Sequence, residues 1–126
     1  MAHIRGIGGV FFKSKDPKKL QEWYVEKLGL KPDERGYIYF MWDDLNAPGY
    51  TIWAPFPSDT KYFEPSRKES MINFVVSNIE EYLDIIRDKG VKVDERGIED
   101  TEQGKFAWIY DPEDNKIELW EPKEMT

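Results

Sequence analysis

The chain carries one histidine, His3, and no cysteine. A thiolate nucleophile, a disulfide and a Cys-based metal site are therefore excluded. The single histidine has no Ser–Asp context, so no nucleophilic triad can be assembled. Gly6-Ile7-Gly8-Gly9 is glycine-rich but leads into the apolar residues of a strand rather than into a helix, so it is neither a phosphate loop nor a dinucleotide fingerprint. What remains for chemistry is carboxylates among aromatic rings. In the run Lys116-Ile117-Glu118-Leu119-Trp120-Glu121, strand alternation puts Lys116, Glu118 and Trp120 on one face and Ile117 and Leu119 on the other. A carboxylate in such a place can serve as a general base or hold a ligand amine. It can equally be structural, paired with Lys116 or hydrogen-bonded to Asn73 and a nearby hydroxyl. The acidic set Glu95, Glu99, Asp100 and Glu102 could draw cations to a groove mouth, but reads more simply as a solvated hairpin tip.

The frame that must position these groups repeats itself. Residues 29–36 read Gly-Leu-Lys-Pro-Asp-Glu-Arg-Gly, residues 90–97 read Gly-Val-Lys-Val-Asp-Glu-Arg-Gly, and six of the eight positions are identical. Each copy follows a helix-like segment, so the chain reads as two related halves. A pair of such halves leaves a groove between its sheets, a common place for small-molecule binding. At 126 residues, 40% hydrophobic and 15% aromatic, the chain has the size and composition of one globular domain. A net charge of −7 repels phosphate backbones and anionic lipid, so neither nucleic acid nor membrane is an expected partner. With no cleavable leader and no long apolar run, a cytoplasmic location is expected.

Residues 6–13 read as a strand. Asp16 and Pro17 then form a helix N-cap and first turn, and Leu20, Trp23, Tyr24 and Leu28 mark the buried stripe up to Gly29. Strands are expected over 37–42 and 50–55, separated by a turn over 43–49. Residues 57–69 connect the halves, with Tyr62 and Phe63 pinning that connector to the body. In the second half, 71–76 is a strand, Asn78 with Glu81 opens a helix striped by Ile79, Tyr82, Leu83 and Ile86, and Gly90 closes it. A short strand over 91–94, an acidic loop over 95–104 and strands over 105–110 and 116–121 follow. Trp53-Ala54-Pro55 and Trp120-Glu121-Pro122 end the two halves alike. The expected class is α+β: one domain over 1–126 made of two βαβββ modules, about 5–57 and about 68–123, with each helix outside its sheet.

With Asp111-Pro112-Glu113-Asp114-Asn115 leading into the last strand, and the Trp23-Tyr24 pair and Gly29-Leu30 exit on the first helix, the chain resembles the vicinal oxygen chelate superfamily. That group holds glyoxalase I, extradiol dioxygenases and bleomycin- and fosfomycin-resistance proteins. The resemblance implies paired modules with curved mixed sheets enclosing a concave groove, and commonly a homodimer. Metal-dependent members place one divalent cation there on His, Gln or Glu. Carried over, the ligand positions fall on Gly9, on Thr51 or Trp53, on Met71 and on Glu118, and only the last keeps a carboxylate. One histidine cannot build a 2-His-1-carboxylate site. The resemblance therefore implies no metal and no cofactor here.

The same positions define the groove face. They direct Phe11, Thr51, Trp53, Met71, Asn73, Lys116, Glu118 and Trp120 inward, joined by Trp108 and a tyrosine from 37–41, while Val10, Phe12, Ile72, Phe74, Val76, Ile117 and Leu119 go to the core. The expected function is a glyoxalase/bleomycin-resistance-like protein that binds a small organic molecule, an aromatic amine above all, with Glu118 as ligand contact or catalytic residue. The alternatives are a lyase or dioxygenase with an atypical metal site, and a structural or regulatory dimer without a ligand.

Overall fold

The computed structural model describes residues 2–5, 7–45 and 48–123. The architecture is α+β, with one curved, unclosed mixed sheet and few helices. The sheet uses β1 (Ile72–Val75), β2 (Lys92–Val93), β3 (Glu99–Thr101), β4 (Gly104–Tyr110) and β5 (Lys116–Pro122). The order is β1-β5-β4-β2, with β3 also pairing β4. β1 runs parallel to β5, and the other pairs are antiparallel. The acidic loop expected over 95–104 thus contains a strand. Gly104 (φ +125°) turns β3 into β4, and a Cβ there would lie 2.2 Å from the Glu121 carbonyl oxygen, so only glycine fits.

Alternation sorts the sheet's two faces. Ile72, Phe74, Ala107, Ile109, Ile117 and Leu119 lie on the helix side, where Leu20, Tyr24 and Leu28 of the first helical segment meet Ile79, Leu83 and Ile86 of the second. Each Leu or Ile among them contributes about 1.5–3 kcal/mol when fully buried. The first segment is α1 (Pro17–Trp23) continued by a π-helical turn (Tyr24–Leu28), and the second is α2 (Ile79–Asp88). Asp16 caps α1, its side chain accepting from the Lys19 amide at 3.2 Å. Asn78 caps α2, and Glu121 of β5 also accepts from the Ile79 amide at 2.7 Å. Tyr24 and Ile86 are both buried.

α1 does not lie on a sheet of its own half. The 111–115 turn fastens it to the second half. Buried Asp111 accepts from the Tyr24 hydroxyl at 2.6 Å and from the Asn115 side-chain amide at 2.7 Å. Glu113 accepts from the Ser14 hydroxyl at 2.7 Å and from the Lys15 amide at 2.9 Å, and these bonds hold its carboxyl below the usual range.

The strands expected over 6–13, 37–42 and 50–55 do not form ladders. Among the described residues of the first half, one isolated bridge, Pro32 to Ile38, is the only pairing, and Trp42–Asp44 is a 3-10 turn. Gly6, Asn46 and Ala47, which belong to the expected first strand and turn, lie outside the described residues. The physical reason is that a strand is completed by its neighbour. β5 has β1 and β4 on either side, whereas 37–42 and 50–55 have no such partner among the described residues. No described helix is long and apolar enough to cross a membrane.

Candidate functional site

The face of the sheet opposite the helices carries Asn73 and Val75 of β1, Phe106, Trp108 and Tyr110 of β4, and Lys116, Glu118 and Trp120 of β5. Register places Glu118 between Asn73 and Trp108. The buried Glu118 carboxylate accepts three hydrogen bonds. Asn73 Nδ2 donates to Oε1 at 2.7 Å, Trp108 Nε1 donates to Oε2 at 2.9 Å, and the Tyr62 hydroxyl donates to Oε2. Such bonds to a charged acceptor contribute about 1.5–3 kcal/mol each. Burial, and then the bond to Glu118, push the Tyr62 phenol well above its ordinary pKa, so Tyr62 remains the proton donor.

The rings around this carboxylate form a continuous wall. Phe106 stacks between Trp108 and Trp120, with centroids 6.5 and 6.0 Å away and planes within 15° and 9°. Tyr50 lies 5.5 Å from the Trp120 ring, and Tyr62 meets Trp108 edge-on at 6.4 Å. The Trp120 Nε1 donates to the Gln103 carbonyl at 2.9 Å.

Two cations flank the wall. The Arg96 guanidinium lies 3.9 Å from the Trp108 ring centroid, and its Nε donates to Asp94 at 3.1 Å. Burial alone would raise the Asp94 pKa. Hydrogen bonds from the Tyr110 hydroxyl and from the Arg96 backbone and side chain outweigh it and hold that carboxyl at about 2. Buried Lys116 donates to the carbonyls of Tyr62 at 2.8 Å and Glu64 at 3.0 Å. Burial and the nearby Arg96 charge push the Lys116 ammonium down from its ordinary value.

Of the expected site residues, Asn73, Trp108, Glu118 and Trp120 come together on this face, with Lys116 beside them. Met71 lies half-buried just before β1. Phe11 and Trp53 are 95% and 79% exposed, and Thr51 is exposed too. No ring contact among the described residues involves Phe11 or Trp53. Their strands lack the ladder that would set them against β5. Sequence reasoning did not place Phe106, Arg96, Asp94 and Tyr110 in the site. The alternation Phe106, Trp108, Tyr110 and the repeated Asp-Glu-Arg turn were the available signals.

A divalent cation is not fitted by these residues. Every group directed at Glu118 is an N–H or O–H donor rather than a lone pair, and no group of three His, Cys, Asp or Glu side chains converges among the described residues.

The family model of the Glyoxalase/Bleomycin resistance protein/Dioxygenase superfamily matches residues 6–119. The chain belongs to that superfamily. A superfamily member from Sphaerobacter thermophilus DSM 20745 matches with TM-score 0.55 at 20% identity, over 96% of this chain and 98% of its own. TnmS3, an antibiotic binding protein from Streptomyces sp. CB03234, matches with TM-score 0.51 at 21% identity, over 86% of this chain and 88% of its own. A Bacillus anthracis protein is matched over about half its length, at 23% identity, with coverage of 51% and 50% and TM-score 0.38. Among curated proteins nothing matches. At these identities the two neighbours matched over most of their length show the fold alone.

Proposed function

We propose that this superfamily member binds a small aromatic organic molecule on the sheet face around Glu118, without metal. The observation that carries the reading is a buried carboxylate set in a wall of stacked Trp108, Phe106 and Trp120 rings. Small-molecule sites combine apolar walls with a few fixed polar handles in this way. That a neighbour of the same fold is described as antibiotic-binding supports it. Glu118 already accepts three bonds, which favours a recognition role over proton transfer.

The functional unit in this reading is a cytoplasmic homodimer, with Phe11, Thr51 and Trp53 of the first half closing the groove against Met71 of the second once the first half is covered. Ile4, Phe11, Trp42 and Trp53 all stand largely exposed, and large apolar side chains of this kind gain by being covered. A second copy is the partner that a closed symmetric assembly supplies.

The test is calorimetric titration of aromatic amines, phenols and glycopeptide antibiotics against the wild type and Glu118→Gln. At least one compound should bind the wild type below about 1 mM and bind Glu118→Gln more weakly. No binding across the panel would refute the reading.

A further inference from the structure

We propose that the Tyr62 side chain is a stand-in for the ligand, and that the site takes a neutral phenol whose ring and hydroxyl replace those of Tyr62. This rests on the reading of the sheet face as a small-molecule site and gives it a ligand class.

Three observations converge on Tyr62. Of the three donors to Glu118 it is the one outside the sheet: Asn73 is fixed in β1 and Trp108 in β4, whereas Tyr62 sits in the connector. The residue is 36% exposed, although its hydroxyl reaches a buried carboxylate. Its backbone is held separately, because Lys116 Nζ grips the carbonyls of Tyr62 and Glu64 at 2.8 and 3.0 Å. Rotation about the side chain alone therefore opens the position without moving the connector. Phe56, 5.7 Å from the Tyr62 ring and stacked on it, is itself exposed.

The chemistry of the vacated place selects its occupant. With Tyr62 turned away, Glu118 Oε2 keeps the Trp108 N–H and has room for one further donor, the one Tyr62 supplied. The Lys116 ammonium lies 5.3 Å from the Tyr62 ring centroid and favours an electron-rich ring there. That ammonium, together with the Arg96 guanidinium over Trp108, opposes a third positive charge. A phenol meets all three conditions. An aromatic ammonium meets the first and meets repulsion from the other two, which shifts the expectation away from an amine.

The probe is p-cresol, the tyrosine side chain as a free molecule. It should bind Tyr62→Ala roughly ten- to a hundredfold more tightly than wild type, the range one hydrogen bond to a charged acceptor supplies. Toluene, without the hydroxyl, and 4-methylbenzylamine, with an ammonium, should bind Tyr62→Ala more weakly than p-cresol. Tyr62→Phe keeps the packed ring but loses its hold on Glu118, so it should show an intermediate gain and covers the case in which Tyr62→Ala fails to fold. The proposal is overturned if a folded variant binds p-cresol no more tightly than wild type, or binds toluene or 4-methylbenzylamine as well as p-cresol. In either event, a panel compound that still binds wild type with Glu118 dependence leaves the broader reading intact. If nothing binds any of the proteins, both fall.

Discussion

Asp33 and Asp94 hold matching places in the repeated octapeptide, and they hold matching partners. Asp33 accepts from the Arg35 amide at 2.9 Å and the Tyr39 hydroxyl at 2.9 Å; Asp94 accepts from the Arg96 amide at 3.0 Å and the Tyr110 hydroxyl. Their own amides donate to the carbonyls of Tyr37 and Trp108, each at 2.8 Å. Arg35 lies over the Tyr37 ring at 5.1 Å, and Arg96 over the Trp108 ring at 3.9 Å. The bridge from Pro32 to Ile38 corresponds to the pairing of Val93 with Ile109. The turn is thus the same object twice. Its surroundings differ: Tyr37 is 58% exposed and Trp108 is 2% exposed. The repeated octapeptide and the aromatic residues that close it recur together. Burial of the strand that follows depends on the β5 ladder, which the second half has and the first half lacks among its described residues.

The largest test of this contrast compares Trp108→Ala with Tyr37→Ala. Trp108→Ala should cost about 3–5 kcal/mol by denaturant unfolding at any protein concentration. Tyr37→Ala should cost less than about 0.5 kcal/mol in dilute protein. A cost that grows with protein concentration would show a second copy covering the first half. Glu118→Gln comes next, at about 1–3 kcal/mol, because three donors lose a charged acceptor. Thr51, its counterpart by spacing from the Trp-x-Pro ends, is exposed, and Thr51→Val should be near neutral.

Asp94→Asn should remove roughly 1–2 kcal/mol at neutral pH. The Asp94 carboxyl is held at about 2, below its unfolded value, so its contribution is present above the unfolded pKa and is lost as pH falls through the folded one. In the variant, the fall in stability between pH about 4 and about 2 should be shallower. Asp33→Asn should change the acid limb in the same direction and by less, since its surroundings are solvated. The smallest effects come at the turn glycines. Gly36 and Gly97 both have positive φ, 89° and 65°, but a Cβ at Gly97 meets open space whereas one at Gly36 lies 3.0 Å from the Gln21 side-chain amide, which donates to the Gly36 carbonyl. Gly97→Ala should cost about 1 kcal/mol and Gly36→Ala somewhat more; equal costs would mean that the Gln21 contact gives way freely.

What was legible in the sequence follows the same divide. The caps at Asp16 and Asn78, the buried stripes through Tyr24 and Ile86, and the face shared by Asn73, Glu118 and Trp120 are set by local spacing, and all appear. The strands over 37–42 and 50–55 have the right residue types, but pairing is a long-range property that type alone does not settle. Glu118 was legible as a polar group in an aromatic face. That the connector would supply Tyr62 as its partner was not, because contact across 56 positions leaves no periodic trace.

The chain's five tryptophans give the most direct test of the central claim. Their indole N–H signals, followed by NMR during titration with a compound that binds calorimetrically, report both regions at once. The expected result is that Trp108, whose N–H shares Oε2 of Glu118 with Tyr62, shifts together with Trp120, while Trp23 on α1 stays in place. Saturable binding that leaves the Trp108 and Trp120 signals unmoved would contradict the claim.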